Sequence, residues 1–171
     1  MEATPFVNRV EQSGLITIDL LDFYPKEEFL EFDIKPFLFQ ELILKEKEFR
    51  AQLEKHNWED YSNKHIAIFC SVESIIPHWA FMLISKYLYL TQAKSVFYGS
   101  AQEYISSLFS KNIENIDFAQ YQGKKIILKG CNDERLTSQM FTLFSFKALP
   151  FVQSLMYGEA CSNVPIYKKP K

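Results

Sequence analysis

The sequence predicts an α/β fold: a doubly wound, mainly parallel four-stranded sheet built from two βαβ repeats, with an N-terminal β-hairpin and a long helix ahead of them. Three observations carry this. Tyr61, Lys64, the apolar run Ile66–Phe69 and Cys70 recur as Tyr121, Lys124, the run Ile126–Leu128 and Cys131. Ser95-Val96-Phe97-Tyr98-Gly99 is echoed by Ser154-Leu155-Met156-Tyr157-Gly158, so that 37 residues separate Tyr61 from Tyr98 and 36 separate Tyr121 from Tyr157. Short apolar runs alternate with helical segments from residue 61 onward, the pattern of a parallel sheet with helical crossovers.

Residues 1–14 lack periodicity and read as an irregular lead-in. Leu15–Leu20 and Phe29–Ile34 each alternate apolar and polar residues, the period of half-buried strands. The link Leu21–Glu28 carries Pro25 and charges, which suggests a hairpin or a loosely joined pair. Pro36 suits a helix start. Residues 37–56 predict a long amphipathic helix with Leu38, Leu42, Phe49 and Leu53 on its buried stripe.

Ile66–Phe69 is apolar without alternation, as expected of a strand covered on both faces. Pro77–Leu90 reads as an apolar helix and Ala93–Tyr98 as the next strand. Ser100 and Glu103 form a capping box that opens a third helix. Lys124–Lys129 reads as a strand, Thr137–Leu149 as a helix and Val152–Met156 as a strand. Glu159–Lys171 contains Pro165 and shows no clear element.

The chain has 171 residues, which suits a single domain: a hairpin and helix over 1–60, the first repeat over 61–100, the second over 121–159, and a tail over 160–171. At 47% hydrophobic it can bury a core, and its 16 Phe are enough to suggest that some pack against a second copy in a homo-oligomer. A net charge of -2, with no long block of one sign, argues against a general grip on nucleic acid. The basic end Lys168, Lys169 and Lys171 reads as a solvated terminus. The first residues have neither the basic nor the apolar region of a signal peptide, and no apolar run approaches the ~20 residues of a membrane helix. The expected location is cytoplasmic, with no membrane partner. Three cysteines, an odd number in a reducing compartment, do not suggest a disulfide framework.

Placing the first strands of both repeats side by side gives the spatial order 94–98, 66–70, 124–129, 152–156. Strand order then reverses between the two central strands, and open sheets bind ligands at the carboxyl ends beside such a point. Those ends carry Cys70 and Ser71, Gly99 and Ser100, Gly130 and Cys131, and Gly158 leading to Cys161. Three readings of the cysteines stay open. They are small buried hydrophobes capping strands. Or Cys70, Cys131 and Cys161, with His78 at the start of the second helix, hold zinc, iron or an iron–sulfur cluster, with Ser71 beside them. Or Cys70 or Cys131 is a redox or nucleophilic thiol. The scattered spacing, without Cys-x-x-Cys, does not favour the metal. Glu73 is a further polar candidate. His65 sits at a strand start, on the edge away from the crevice, and His56 reads as structural. No phosphate loop, GxGxxG or GxSxG motif is present.

Several runs go beyond composition: Ser13–Leu20, Asp33-Ile34-Lys35, Leu44–Arg50, Lys129-Gly130-Cys131, Tyr157–Ser162 and Val164–Lys169. Across nearly the whole chain these resemble an uncharacterised bacterial family, domain of unknown function 2480. The resemblance implies that Cys70, Cys131 and Cys161 all match the family pattern. Many members carry His where this chain has Phe69, a departure that weakens any metal scheme needing that position. The family has no assigned activity, and its genes often lie near iron–sulfur assembly genes. The resemblance therefore implies an accessory in iron–sulfur or sulfur handling, with iron–sulfur assembly proteins as partners. Its alternative is a non-catalytic, homo-oligomeric interaction module with structural cysteines.

Overall fold

The computed structural model describes residues 14–130 and 133–170. The chain divides into two compact units, a central unit of Pro25–Ser107 and a terminal unit of Met1–Tyr24 with Leu108–Lys171.

The central unit contains β2 (Phe29–Asp33), α1 (Glu46–Lys55), β3 (His65–Phe69), α2 (His78–Leu90) and β4 (Ser95–Tyr98). Its sheet has the order β2-β3-β4, and both pairings are parallel. One hydrophobic cluster joins Phe32 of β2 and Ile66 and Ile68 of β3 to Phe49 and Leu53 of α1 and Ala80, Ile84 and Leu88 of α2. Both helices thus cover the same face. That follows from two right-handed crossovers that step in the same direction across the sheet. The apolar strand β3 lies in the middle, as its lack of alternation requires.

The terminal unit holds β1 (Leu15–Asp19), β5 (Lys125–Lys129), α4 (Ser138–Ala148), β6 (Ser154–Glu159) and β7 (Ser162–Lys168). Its sheet runs β1-β5-β6-β7, parallel apart from the antiparallel β6–β7 hairpin. The unit boundary falls within α3 (Ala101–Glu114).

Four expectations are corrected. The two repeats do not share one doubly wound four-stranded sheet: β3 and β5 belong to different sheets, so the strand reversal expected between them does not exist. Nor do β1 and β2 form a hairpin. Each is a lead strand, parallel to the first strand of its own repeat, Ile18 opposite Leu128 and Phe32 opposite Ile68. A βαβ unit leaves one side of its first strand unpaired, and a half-buried alternating strand satisfies it. The long helix over 37–56 is cut to Glu46–Lys55, because Gln40 and Glu41 adopt left-handed backbone (φ 50 and 58) that ends any helix there. The tail is not irregular: β7 occupies it, and Pro165 is tolerated beside a bulge opposite Leu155/Met156 on an outer strand.

The repeat itself is structural and reaches further back than the sequence pattern. Lys64 N–H bonds to Tyr61 O, and Lys124 N–H to Tyr121 O. Asn63 N–H reaches Gln92 O as Gly123 N–H reaches Phe151 O, and Lys94 N–H bonds to Lys64 O as Gln153 N–H bonds to Lys124 O. Phe81 stands edge-on to Tyr98 at 5.1 Å, and Phe141 to Tyr157 at 5.4 Å. Upstream, Asp19 and Asp33 each end a lead strand and accept the N–H two residues on, both at 3.0 Å. After their last strand the copies differ: β4 leads into α3, whereas β6 turns back as β7.

Candidate functional site

The carboxyl ends of β3 and β4 open into a cleft of about 930 Å³ within the central unit. Three structural devices shape it.

The first holds the turn after β3. Cys70 follows the strand directly, half-buried with a free thiol. Asp33, at the end of the neighbouring strand, accepts Ser71 N–H (3.0 Å) and Lys35 N–H (3.0 Å) on Oδ1 and Ser71 Oγ–H (2.6 Å) on Oδ2. Burial pushes the Asp33 carboxyl up, but the hydrogen bonds from Ser71 and Lys35 outweigh it, so its pKa lies below the ordinary value of 3.8. Ser71 is spent on this clamp and does not line the cleft.

The second is the entry into α2. Val72 to Pro77 run without regular structure, Ser74 Oγ–H bonds to Leu42 O at 2.5 Å, and Pro77 places His78 as the first helical residue.

The third is the β4–α3 turn. Gly99 has φ +130, and a Cβ there would sit 2.7 Å from Glu103 Oε2 and 2.8 Å from Phe97 Cε1, so only glycine fits. Ser100 N–H (2.7 Å) and Oγ–H (2.9 Å) both donate to Glu103 Oε2, while Glu103 N–H donates to Ser100 Oγ at 3.3 Å. The bonds from Ser100 hold the Glu103 carboxyl below its ordinary value. Ala101 N–H donates to Glu31 Oε1 of β2 at 3.0 Å. Carboxylates therefore already occupy the first-turn amides of α3, the place where an anion would otherwise bind.

The cleft is lined by Cys70, Glu73, Ser74, His78, Ser100 and Glu103, with Phe69, Phe81, Phe97 and Tyr98 as aromatic walls and Val72, Ile76 and Gly99 between them. Two carboxylates and no Lys or Arg face it. Such a lining disfavours phosphate-like anions and suits a neutral or positively charged guest.

Cys70, His78 and Glu73 thus share one cleft. Cys161 does not join them within the central unit: it is exposed in the turn between β6 and β7 of the terminal unit. Cys131 lies outside the described residues. Among the described residues, no group of three or more His, Cys, Asp and Glu side chains is placed to hold a metal ion. The described donors therefore do not fit a closed metal site. In the loop ahead of α4, Asp133 accepts Arg135 Nε–H at 2.9 Å and Nη2–H at 2.7 Å, which holds its carboxyl at about 2.

The other histidines sit in packed surroundings. His56 lies among Phe32, Phe37, Trp58 and Tyr61, and burial pulls its pKa down. His65 Nδ1 lies 2.5 Å from Ser95 Oγ, which is also bonded to Tyr104 OH, and its Nε2 is buried without a partner. Glu103 was legible from the capping box. The part played by Glu31 was not, because 70 residues separate it from Ala101.

Two mainly parallel sheets, and a thiol-bearing cleft at the strand ends of one of them, define an α/β protein. No helix among the described residues is long and apolar enough to cross a membrane. The chain belongs to the family described as "Protein of unknown function (DUF2480)", whose model matches residues 4–169. No curated protein and no solved structure matches it.

Proposed function

We propose that this chain is a cytoplasmic accessory protein that handles sulfur or a thiophilic metal, with Cys70 as the group that meets the cargo. The observation that supports it is a free, half-buried thiol in an open cleft that His78 and Glu73 also line, with no Lys or Arg among its walls. A thiolate and an imidazole suit zinc or iron, and the acidic lining favours a cation. A set of donors that is incomplete in the described residues suits cargo that is taken on and passed along better than a resident ion. An iron–sulfur assembly partner would complete the set during transfer.

Anaerobic purification with metal, sulfide and sulfane-sulfur analysis tests this, followed by Zn²⁺ and Fe²⁺ titration of the wild type, Cys70→Ser and Cys161→Ser. Uptake should be lost in Cys70→Ser. Wild-type protein that takes up no metal and carries no sulfur, or uptake unchanged in Cys70→Ser, refutes the reading.

The alternative, a homo-oligomeric interaction module, is favoured by a different observation: large apolar side chains, among them Met82, Tyr89 and Tyr98, stand exposed on the central unit.

A further inference from the structure

The internal repeat shows what the central unit lacks. Aligning Ser154–Gly158 on Ser95–Gly99 sets β6 on β4, Leu155 on Val96 and Tyr157 on Tyr98. In the terminal unit the outer side of β6 is covered by antiparallel β7, with Leu155 opposite Tyr167 and Tyr157 opposite Val164. In the central unit β4 is the outermost strand, and among the described residues no strand pairs with its far side. The side chains register the difference: Leu155 is 1% exposed, whereas Val96 is 40% and Tyr98 74% exposed.

The backbone is oriented for pairing. Gly99 N–H points inward, bonded to Ile68 O at 3.0 Å. Alternation along a strand then turns Phe97 inward as well and leaves the N–H and C=O of Val96 and Tyr98 facing out. Outer strands usually carry a charge, a proline or a bulge against pairing. Ser95–Tyr98 carries none of these.

We propose that β4 is a self-association edge, and that its occupant is β4 of a second copy, added antiparallel about a two-fold axis. Antiparallel pairing centred on Phe97 sets Val96 against Tyr98 of the partner subunit, so the outward groups of each copy satisfy those of the other. It also reproduces the antiparallel cover that β7 gives β6. The charges agree with this direction: Lys94 precedes the strand and Glu103 follows it, so an antiparallel copy brings the positive end of one strand toward the negative end of the other. The inference is independent of what the cleft binds.

Val96 is the test position, because it does not line the cleft whereas Tyr98 does. Sedimentation equilibrium of the full chain over about 1–100 µM should give a mass near twice 20.1 kDa. Val96→Pro removes an outward N–H while leaving the inward ladder to β3 intact, and it should weaken association by about tenfold or more. Val96→Lys, a gentler change to the fold, should do the same by placing like charges across the axis. Circular dichroism checks folding, and if Val96→Pro unfolds the protein then Val96→Lys alone decides. A chain that stays at 20.1 kDa throughout overturns the proposal, whether or not it captures other proteins. A dimer whose dissociation is unmoved by folded Val96→Lys overturns it equally.

Discussion

Asp33→Ala should loosen the Cys70 turn while leaving the core of the central unit in place. The carboxylate accepts two backbone N–H groups at 3.0 Å and the Ser71 hydroxyl at 2.6 Å, and no other side chain is shown taking over these bonds. Hydrogen bonds to a charged acceptor are worth about 1.5–3 kcal/mol each when well buried. Asp33 is half-buried and water can replace part of the loss, so a total of about 1–2 kcal/mol is expected for Asp33→Ala, and about half that for Asp33→Asn, which keeps one carbonyl acceptor. Both tryptophans, Trp58 and Trp79, belong to the central unit, so tryptophan fluorescence during urea unfolding reports on that unit alone. The pH dependence is a second, independent reading. The folded carboxyl titrates below 3.8, so its contribution is complete above that value and is lost as the pH falls through the folded pKa. The gap between wild type and variant should therefore close in acid. A gap below about 0.3 kcal/mol at pH 7, or one that persists unchanged in acid, would refute the clamp.

Acidification from neutral should weaken the central unit through its histidines. His56 and His65 both have folded pKa values below 6.5, chiefly through burial, so the unfolded chain binds protons more readily and stability falls as the pH drops below 6.5. The urea midpoint followed by tryptophan fluorescence checks this, and a flat midpoint between pH 7.5 and 5.5 would contradict it. Gly158→Ala should destabilise the terminal unit by about 1–3 kcal/mol, since φ is +117 and a Cβ would lie 2.7 Å from the Ser162 carbonyl oxygen. Far-UV circular dichroism during urea unfolding would report that loss, and a Gly158→Ala midpoint equal to that of the wild type would contradict it.

Much of the local structure could be read from residues alone because it depends on near neighbours. The apolar runs around Ile66 and Ile126 gave the central strands, and the Ser100–Glu103 spacing gave the start of α3. The same reading put Cys70 at the carboxyl end of a strand, His78 at the start of the following helix and Glu73 among the polar candidates, and all three line the cleft. Strand pairing was another matter. Leu15–Asp19 and Phe29–Asp33 alternate equally well as a hairpin or as two parallel lead strands, because period-2 burial specifies one covered face and says nothing about the neighbour on either side. Partners are chosen by contacts more than a hundred residues apart, as between Ile18 and Leu128, and no local signal encodes them. The clamp from Asp33 to Ser71, the cap from Glu31 to Ala101 and the open edge of β4 follow from that choice, and so they emerged only once the chain was folded.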